Sequence, residues 1–367
     1  MYTSEDLLNN ILSLSSWATW KSCIKHVEEG VKSWSRAVTE KAYRRIYLVG
    51  CGSSFYSGQI GKFFIESVSQ IPAEARQAFS FVHYLNPELL DKNTLVIGIS
   101  TTGNTASTCD ALSLAQKEGA ATLAITADQD SRITTIADAS IFTGGPVTVI
   151  VKTFEYVQSL IALYVLAFYL GHKGQGIRDK DHRYYVEQLR LAWDITKNFF
   201  DKDQEKITDL VDQYHAADVF FVLGNGINVG TAEEAALKLI EMAKIYSDGC
   251  EMEDFFHGRD REVTSESPIF FLAPQNPAEE KMLDFLKFNQ MVEVPSILLT
   301  LRHRPEYETL AKHVISLGGE LDEMLSPLVY ITPLYVFGYR LALKKGFQPL
   351  ERRYSVGALH VRYKENE

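Results

Sequence analysis

Thr94-Leu95-Val96-Ile97-Gly98-Ile99-Ser100-Thr101-Thr102-Gly103-Asn104-Thr105 reads as an apolar strand that runs into a hydroxyl-rich, glycine-hinged loop and then opens a helix. Four hydroxyls, with the N–H groups of a helix start behind them, suit a small dianion such as a sugar phosphate. No lysine is needed, because short hydrogen bonds and the positive end of the helix dipole hold the charge. Taken alone, the tract is also what a plain helix cap looks like.

Two other stretches extend this reading. Ile46-Tyr47-Leu48-Val49-Gly50-Cys51-Gly52-Ser53-Ser54 is a strand entering a glycine turn, and Val219-Phe220-Phe221-Val222-Leu223-Gly224-Asn225-Gly226 echoes it about 174 residues later, a domain's length. The spacing indicates an internal duplication. Such glycines permit a tight turn and close approach of backbone to ligand at the carboxyl edge of a parallel sheet. A dinucleotide is disfavoured, since neither copy completes a Gly-x-Gly-x-x-Gly pattern.

Short β-rich runs alternate with helical patterns along the chain, which predicts an α/β protein of two tandem, doubly wound parallel-sheet domains with flanking helices. Strands are expected at 46–50, 94–99, 121–126 and 139–142, then at 219–223, 268–272, 295–300 and 314–317. Helices are expected at 56–68, 105–118, 131–136 and 154–170, then at 181–200, 203–215, 229–246, 277–289 and 328–344. The expected organisation is amino-terminal helices at 1–38, packed outside the first sheet, a first domain at 39–176, a second at 177–345, and a polar, aromatic tail at 346–367. His172-Lys173-Gly174-Gln175-Gly176 is the candidate linker.

A chain of 367 residues with 46% hydrophobic residues can fill two cores. Its net charge of -10 argues against a nucleic-acid partner, which needs a basic footprint, but leaves room for an anionic ligand held by a few aimed donors. Cys23, Cys51, Cys109 and Cys250 show no Cys-x-x-Cys spacing, so no zinc site or disulfide framework is expected, and a reducing cytoplasm is the expected setting. Met1-Tyr2-Thr3-Ser4-Glu5-Asp6 does not look like a signal peptide. The apolar tract Leu160–Leu170 falls short of a membrane span of about 20 residues, and reads as a core or subunit-contact helix.

The candidate chemistry lies in the second half. In Glu233-Glu234-Ala235-Ala236-Leu237-Lys238-Leu239-Ile240-Glu241, Lys238 and Glu241 stand three apart on one helix face. A pair of this kind is most often a solvated ion pair of small worth. Apolar neighbours on both sides of Glu241 favour a second reading, since a carboxylate near apolar walls is held up toward the range a general base uses. His257, between Phe255-Phe256 and Gly258, sits where a loop can bring an imidazole to a ligand, although a lone histidine is more often structural.

Gly50-Cys51-Gly52-Ser53-Ser54, Gly98 to Thr105, Ala236-Leu237-Lys238-Leu239-Ile240-Glu241 and Phe256-His257-Gly258 together resemble the sugar isomerase (SIS) domain proteins in their duplicated form. The likeness covers the chain from about Tyr43 to Tyr363 and lies nearest the isomerase half of glucosamine-6-phosphate synthase, fructosamine-6-phosphate deglycases and aminosugar-phosphate deaminase/isomerases. It implies a flavodoxin-like SIS fold and a phosphorylated sugar or aminosugar as ligand. Gly52, Ser53, Ser54, Ser100, Thr101, Thr102 and Thr105 would bind the substrate, chiefly its phosphate. Glu241 would move a proton between C1 and C2. His257 would open the ring, reaching the site from a neighbouring subunit, so a homodimer or higher homo-oligomer is implied. No cofactor, metal or membrane is called for.

The chain departs from the family pattern at Thr101, Thr102 and Asn104 in the phosphate loop, at Arg259 where relatives carry proline after His-Gly, and in lacking their lysine-bearing ending. No glutaminase domain is expected. The resulting expectation is a fructosamine-6-phosphate deglycase or aminosugar-phosphate deaminase/isomerase. The alternatives are a non-catalytic phosphosugar sensor and a simple aldose–ketose phosphosugar isomerase.

Overall fold

The computed structural model describes residues 2–37, 43–145, 150–172 and 177–353. The expected linker at 173–176 and the tail beyond 353 lie outside the described residues.

The chain opens with α1 (Ser4–Leu12), started by a capping box between Thr3 and Asp6, and α2 (Trp17–Ala37). Strand β1 (Arg45–Gly50) turns into α3 (Ser53–Ser69), and β2 (Ala73–Gln77) runs straight into α4 (Ala78–Tyr84). Then come β3 (Thr94–Ile99), α5 (Ala106–Lys117), β4 (Ala121–Thr126), α6 (Arg132–Ile136), β5 (Ala139–Phe142) and α7 (Phe154–Gly171). Helices α8 (Asp179–Asn198) and α9 (Gln204–Tyr214) precede a second series: β6 (Val219–Gly224), α10 (Val229–Ala243), β7 (Tyr246–Glu251) and α11 (Met252–Phe255). It continues through β8 (Ile269–Leu272), α12 (Ala278–Met291), β9 (Ser296–Thr300), α13 (Pro305–Leu310), β10 (His313–Ser316) and α14 (Ser326–Lys344).

Every strand pairing is parallel, and the orders are β2-β1-β3-β4-β5 and β10-β9-β8-β6-β7. Read from β7, the second sheet repeats the order of the first. In both, the chain steps outward to its second strand and then crosses back past the first, so the switch points lie between β1 and β3 and between β6 and β8. The central strands β3 and β4 are buried at every position, which is why they read as unbroken apolar runs.

The elements that the sequence pattern missed are edge strands and short helices. Ala73-Glu74-Ala75-Arg76-Gln77 is half-exposed and polar, and Tyr246-Ser247-Asp248-Gly249-Cys250-Glu251 is little more apolar, so neither announces a strand. The helix expected to run to 246 stops at Ala243, where Lys244 takes a left-handed conformation (φ 57°) that ends the helix and frees the chain for β7.

The two sheets belong to two compact units, one gathering the chain up to Ser16 with Glu187–Arg353, the other running from Trp17 through the first sheet and including Lys152–Val186. The amino-terminal helices are therefore not one block outside the first sheet. Helix α1 packs on α14, with Leu7 and Ile11 buried and Ser4 Oγ donating to Gln348 Oε1 at 2.5 Å, whereas α2 packs on α7 and β5. The division at Val186 and Glu187 falls later than 176 because α8 serves both units. His182 and Tyr185 bind Glu28 of α2, while Trp193 Nε1 donates to the Ser15 carbonyl at 3.0 Å. Helix α7 is long and apolar enough to cross a membrane, but 94% of it is buried within the protein.

Candidate functional site

At the first switch point β1 and β3 end side by side, with Val49 opposite Gly98 in register, so the loops that follow them share one sheet edge. Gly52 (φ 54°) makes the turn into α3, whose first residues are Ser53 and Ser54. Gly50 has no room for a side chain: a Cβ there would lie 2.8 Å from the Ser54 carbonyl carbon, so glycine is what lets the helix start close on the strand.

The loop after β3 is held from behind. Ser100 N donates to the Ile125 carbonyl at 3.0 Å, and the Thr101 carbonyl accepts from Ala127 N at 3.1 Å and Thr126 Oγ1 at 3.2 Å. Gly103 (φ 65°) lies so near Ser131 that a Cβ would overlap its hydroxyl. Asn104 completes the brace, its Nδ2 donating to the Thr102 carbonyl at 2.9 Å and its Oδ1 accepting from Arg132 N at 3.2 Å. With the backbone so fixed, Ser100 Oγ and Thr105 Oγ1 lie 3.1 Å apart across the loop. Thr105 is the residue before the first turn of α5, and its hydroxyl makes no bond to that helix start. Ser100 is buried, Thr101 and Thr105 are half-buried and Thr102 is exposed. Asn104 thus puts a neutral brace, rather than a charge, beside the hydroxyls.

The second switch point differs. After β8 the chain reads Ala273-Pro274-Gln275-Asn276-Pro277, without a hydroxyl, and the Gln275 backbone N–H and the Asn276 amide are engaged by a carboxylate of the same unit. Gln275 N donates to Glu323 Oε1 at 3.1 Å, and Asn276 Nδ2 donates to Glu323 Oε1 at 2.9 Å and Oε2 at 2.8 Å. An internal anion stands where the first sheet offers open hydroxyls.

The Lys238–Glu241 pair is not a solvated ion pair. Lys238 is 1% exposed, and its Nζ lies 2.5 Å from Glu241 Oε2 and 3.5 Å from Glu234 Oε1, a carboxylate that is itself fully buried. Tyr335, from α14, donates its hydroxyl to Glu234 Oε1 at 3.0 Å. Burial pulls the Lys238 ammonium down, but the carboxylates of Glu234 and Glu241 more than offset it, so its pKa stands above the ordinary lysine value. Glu241 keeps 35% of its side chain exposed, so this buried line of charge ends in a carboxylate that a ligand can reach. Instead of the apolar walls expected around Glu241, a buried ammonium faces it.

His257 lies on the loop after α11, with 69% of its side chain exposed. The Glu253 carbonyl accepts from its Nδ1 at 2.8 Å, which places a proton on Nδ1 and leaves Nε2 to take or give one. Arg259 anchors this loop: its Nε lies 3.5 Å from Asp248 Oδ2 and its Nη1 3.4 Å from Asp254 Oδ2, while Gly258 (φ 147°) makes a bend no other residue takes easily. Burial pushes the Cys250 thiol beneath it up to about 11, although Arg259 pulls the other way. Among the described residues no group of three or more His, Cys, Asp or Glu is gathered as a metal would require.

Reading the sequence alone missed Glu234 and Tyr335. Glu234 stands at the i, i+4 spacing from Lys238 and could have been found by it. Tyr335 lies about a hundred residues further on within an apolar helix, and no local signal marks it.

Residues 41–169 match the SIS domain family. Over 329 residues the chain is 30% identical to a glutamine–fructose-6-phosphate aminotransferase (isomerizing) of Thermococcus kodakarensis, covering 89% of this chain and 54% of that protein. The chain thus spans about half the length of the curated relatives it matches. The fold superposes on the C-terminal domain of glucosamine-fructose-6-phosphate aminotransferase from Francisella tularensis with a TM-score of 0.83 at 20% identity, covering 94% of this chain and 98% of that one. A glucosamine-6-phosphate deaminase from Thermotoga maritima superposes with a TM-score of 0.75 at 21% identity, covering 95% and 98%.

Proposed function

We propose that this chain, whose residues 41–169 match the SIS domain family, is an enzyme that opens a 6-phosphorylated ketosamine or aminosugar, shifts a proton between C1 and C2 to leave an imine, and releases an amine or ammonia as water hydrolyses the C=N bond. The observation that carries this reading is the buried Lys238 held against the accessible carboxylate of Glu241, a costly arrangement that ligand binding alone does not need.

The hydroxyls of Ser54, Ser100, Thr101, Thr102 and Thr105, with Gly52 and Ser53 at the neighbouring turn, hold the phosphate. Binding energy from that remote dianion is available to the proton shift at C1 and C2. Glu241 takes the proton from one carbon and returns it to the other, and Lys238 steadies the carboxylate while it does so. His257, with Nδ1 engaged and Nε2 open, exchanges the proton needed to open the ring. Its exposure suits a side chain that serves a neighbouring copy, so a homodimer or higher homo-oligomer is part of the proposal, as is a cytoplasmic setting.

Glucosamine 6-phosphate and fructosamine 6-phosphates, incubated with the protein in D2O, provide the test. Release of ammonia or amine with deuterium entering at C1 or C2 is expected. Isomerisation without nitrogen release would move the assignment to a simple aldose–ketose isomerase, and tight binding without turnover would make the protein a sensor. Glu241→Gln should reduce turnover by about 10² or more, as loss of a general base does. Activity within a few fold of wild type in that variant would remove Glu241 from the role.

A further inference from the structure

The line of buried charge beneath Glu241 does not end at Lys238. Two carboxylates, Glu234 and Glu241, share the Lys238 ammonium in a part of the protein where Glu234 is 0% and Lys238 1% exposed. The Tyr335 hydroxyl, 3.0 Å from Glu234 Oε1 and contributed by a different helix, is a neutral donor to the same carboxylate oxygen that faces the ammonium.

We propose that Tyr335 is a positioning residue: through Glu234 it sets how firmly Lys238 is committed to Glu241, and hence how Glu241 holds its charge. This rests on Glu241 being the base of the proposed reaction.

The geometry gives the proposal a direction. The ammonium lies nearer Glu241 (2.5 Å) than Glu234 (3.5 Å) while the tyrosine hydroxyl serves Glu234. Without that hydroxyl Glu234 draws Lys238 toward itself, and Glu241 loses part of its counter-charge. With Glu234 made neutral its pull on the ammonium goes, and Glu241 keeps more of the counter-charge.

Other ionisable groups stand on the described elements around the cluster. On α10 itself stand Glu233 and, at its end, Lys244, whose Nζ donates to the Glu241 carbonyl and to the Pro349 carbonyl. Burial lowers the Lys244 pKa; Glu241 and Glu351 oppose that, and Arg353 adds to it. Helix α14 also carries Tyr330, Tyr339, Arg340 and Lys344. Tyr330 donates to the Ala273 carbonyl, Arg340 binds Gln204 and Thr208, and Lys344 pairs with Asp212. From β7 come Tyr246, Asp248, Cys250 and Glu251, of which Asp248 and Cys250 are engaged with Arg259 and Glu251 caps α11.

The test follows the Glu241 carboxyl directly, by carbon-13 NMR titration of the free protein, assigned by the signal lost in Glu241→Gln. Tyr335→Phe should move its midpoint up by about half to one pH unit and Glu234→Gln should move it down by a similar amount. The acid limb of the kcat/KM profile should follow in the same directions, with KM for the sugar phosphate unchanged. A midpoint reads the same in any folded fraction, so partial loss of stability cannot imitate the result. Midpoints unmoved in both variants, or moved the same way, overturn the proposal. Turnover persisting in Glu241→Gln, by contrast, removes the base assignment itself, whatever the titrations show.

Discussion

At the scale of single residues, the hydroxyl loop and the buried lysine work by opposite means. The loop holds charge with neutral donors, and its value depends on placement: the brace of Asn104 and the tight contact of Gly103 with Ser131 leave Ser100 and Thr105 with one arrangement. If these hydroxyls grip a phosphate, Ser100→Ala combined with Thr102→Ala should weaken glucose 6-phosphate binding at least tenfold by calorimetry, since each charge-assisted bond is worth about 1.5–3 kcal/mol. Unchanged affinity would place the phosphate elsewhere. The lysine, by contrast, is a full charge removed from water and kept ionised by two carboxylates. Its spacing to Glu241 is visible in the chain, but spacing does not distinguish a solvated pair from a buried one. That distinction comes from α14, which supplies Tyr335 and covers the pair.

At the scale of elements, strands buried on both faces were legible, and so were the edge strands β5 and β10. Strands β3, β4 and β6 are apolar because helices lie on either side, and their limits fall within a residue or so of the expected ones. Edge strands β2 and β7 were not legible, because a half-solvated strand needs no apolar run. What makes β7 a strand is a contact: a Cβ on Gly249 would lie 2.2 Å from the Ala232 carbonyl oxygen, so its backbone packs directly on α10. The opposite edge offers a pH prediction. His313 of β10 lies 2.9 Å from the Tyr214 hydroxyl of α9, and burial first, then Lys312, lowers its pKa below the ordinary 6.5. The unfolded chain therefore binds a proton at this histidine before the folded chain does. Its contribution is intact above about pH 6.5 and is lost as the pH falls through and below that value. Urea titrations at pH 7.5 and 5.5 should show wild type losing more stability across the interval than His313→Gln. Equal losses would mean that the histidine is not held neutral.

At the scale of the whole molecule, two sheets of one topology do different work. The first presents hydroxyls at its switch point. The second has filled the corresponding position with the Glu323 carboxylate, and carries instead the Glu234–Lys238–Glu241 line and the His257 loop. One sugar phosphate per chain is accordingly expected in a calorimetric titration. A stoichiometry of two would show that Glu323 yields its place to ligand.

Taken by itself, the sequence settled the α/β class, the duplication, the positions of the central strands and the hydroxyl loop, because these follow from local periodicity, glycine geometry and side-chain type, which are properties of neighbouring residues. Only the tertiary structure decided that Lys238 is buried, that Tyr335 supports it through Glu234, that Glu323 closes the second switch point, and that α1 and α2 part company to different units. Each of those depends on residues far apart in the chain meeting out of water, where the cost of an unpaired charge selects one partner and local pattern carries no record of the choice.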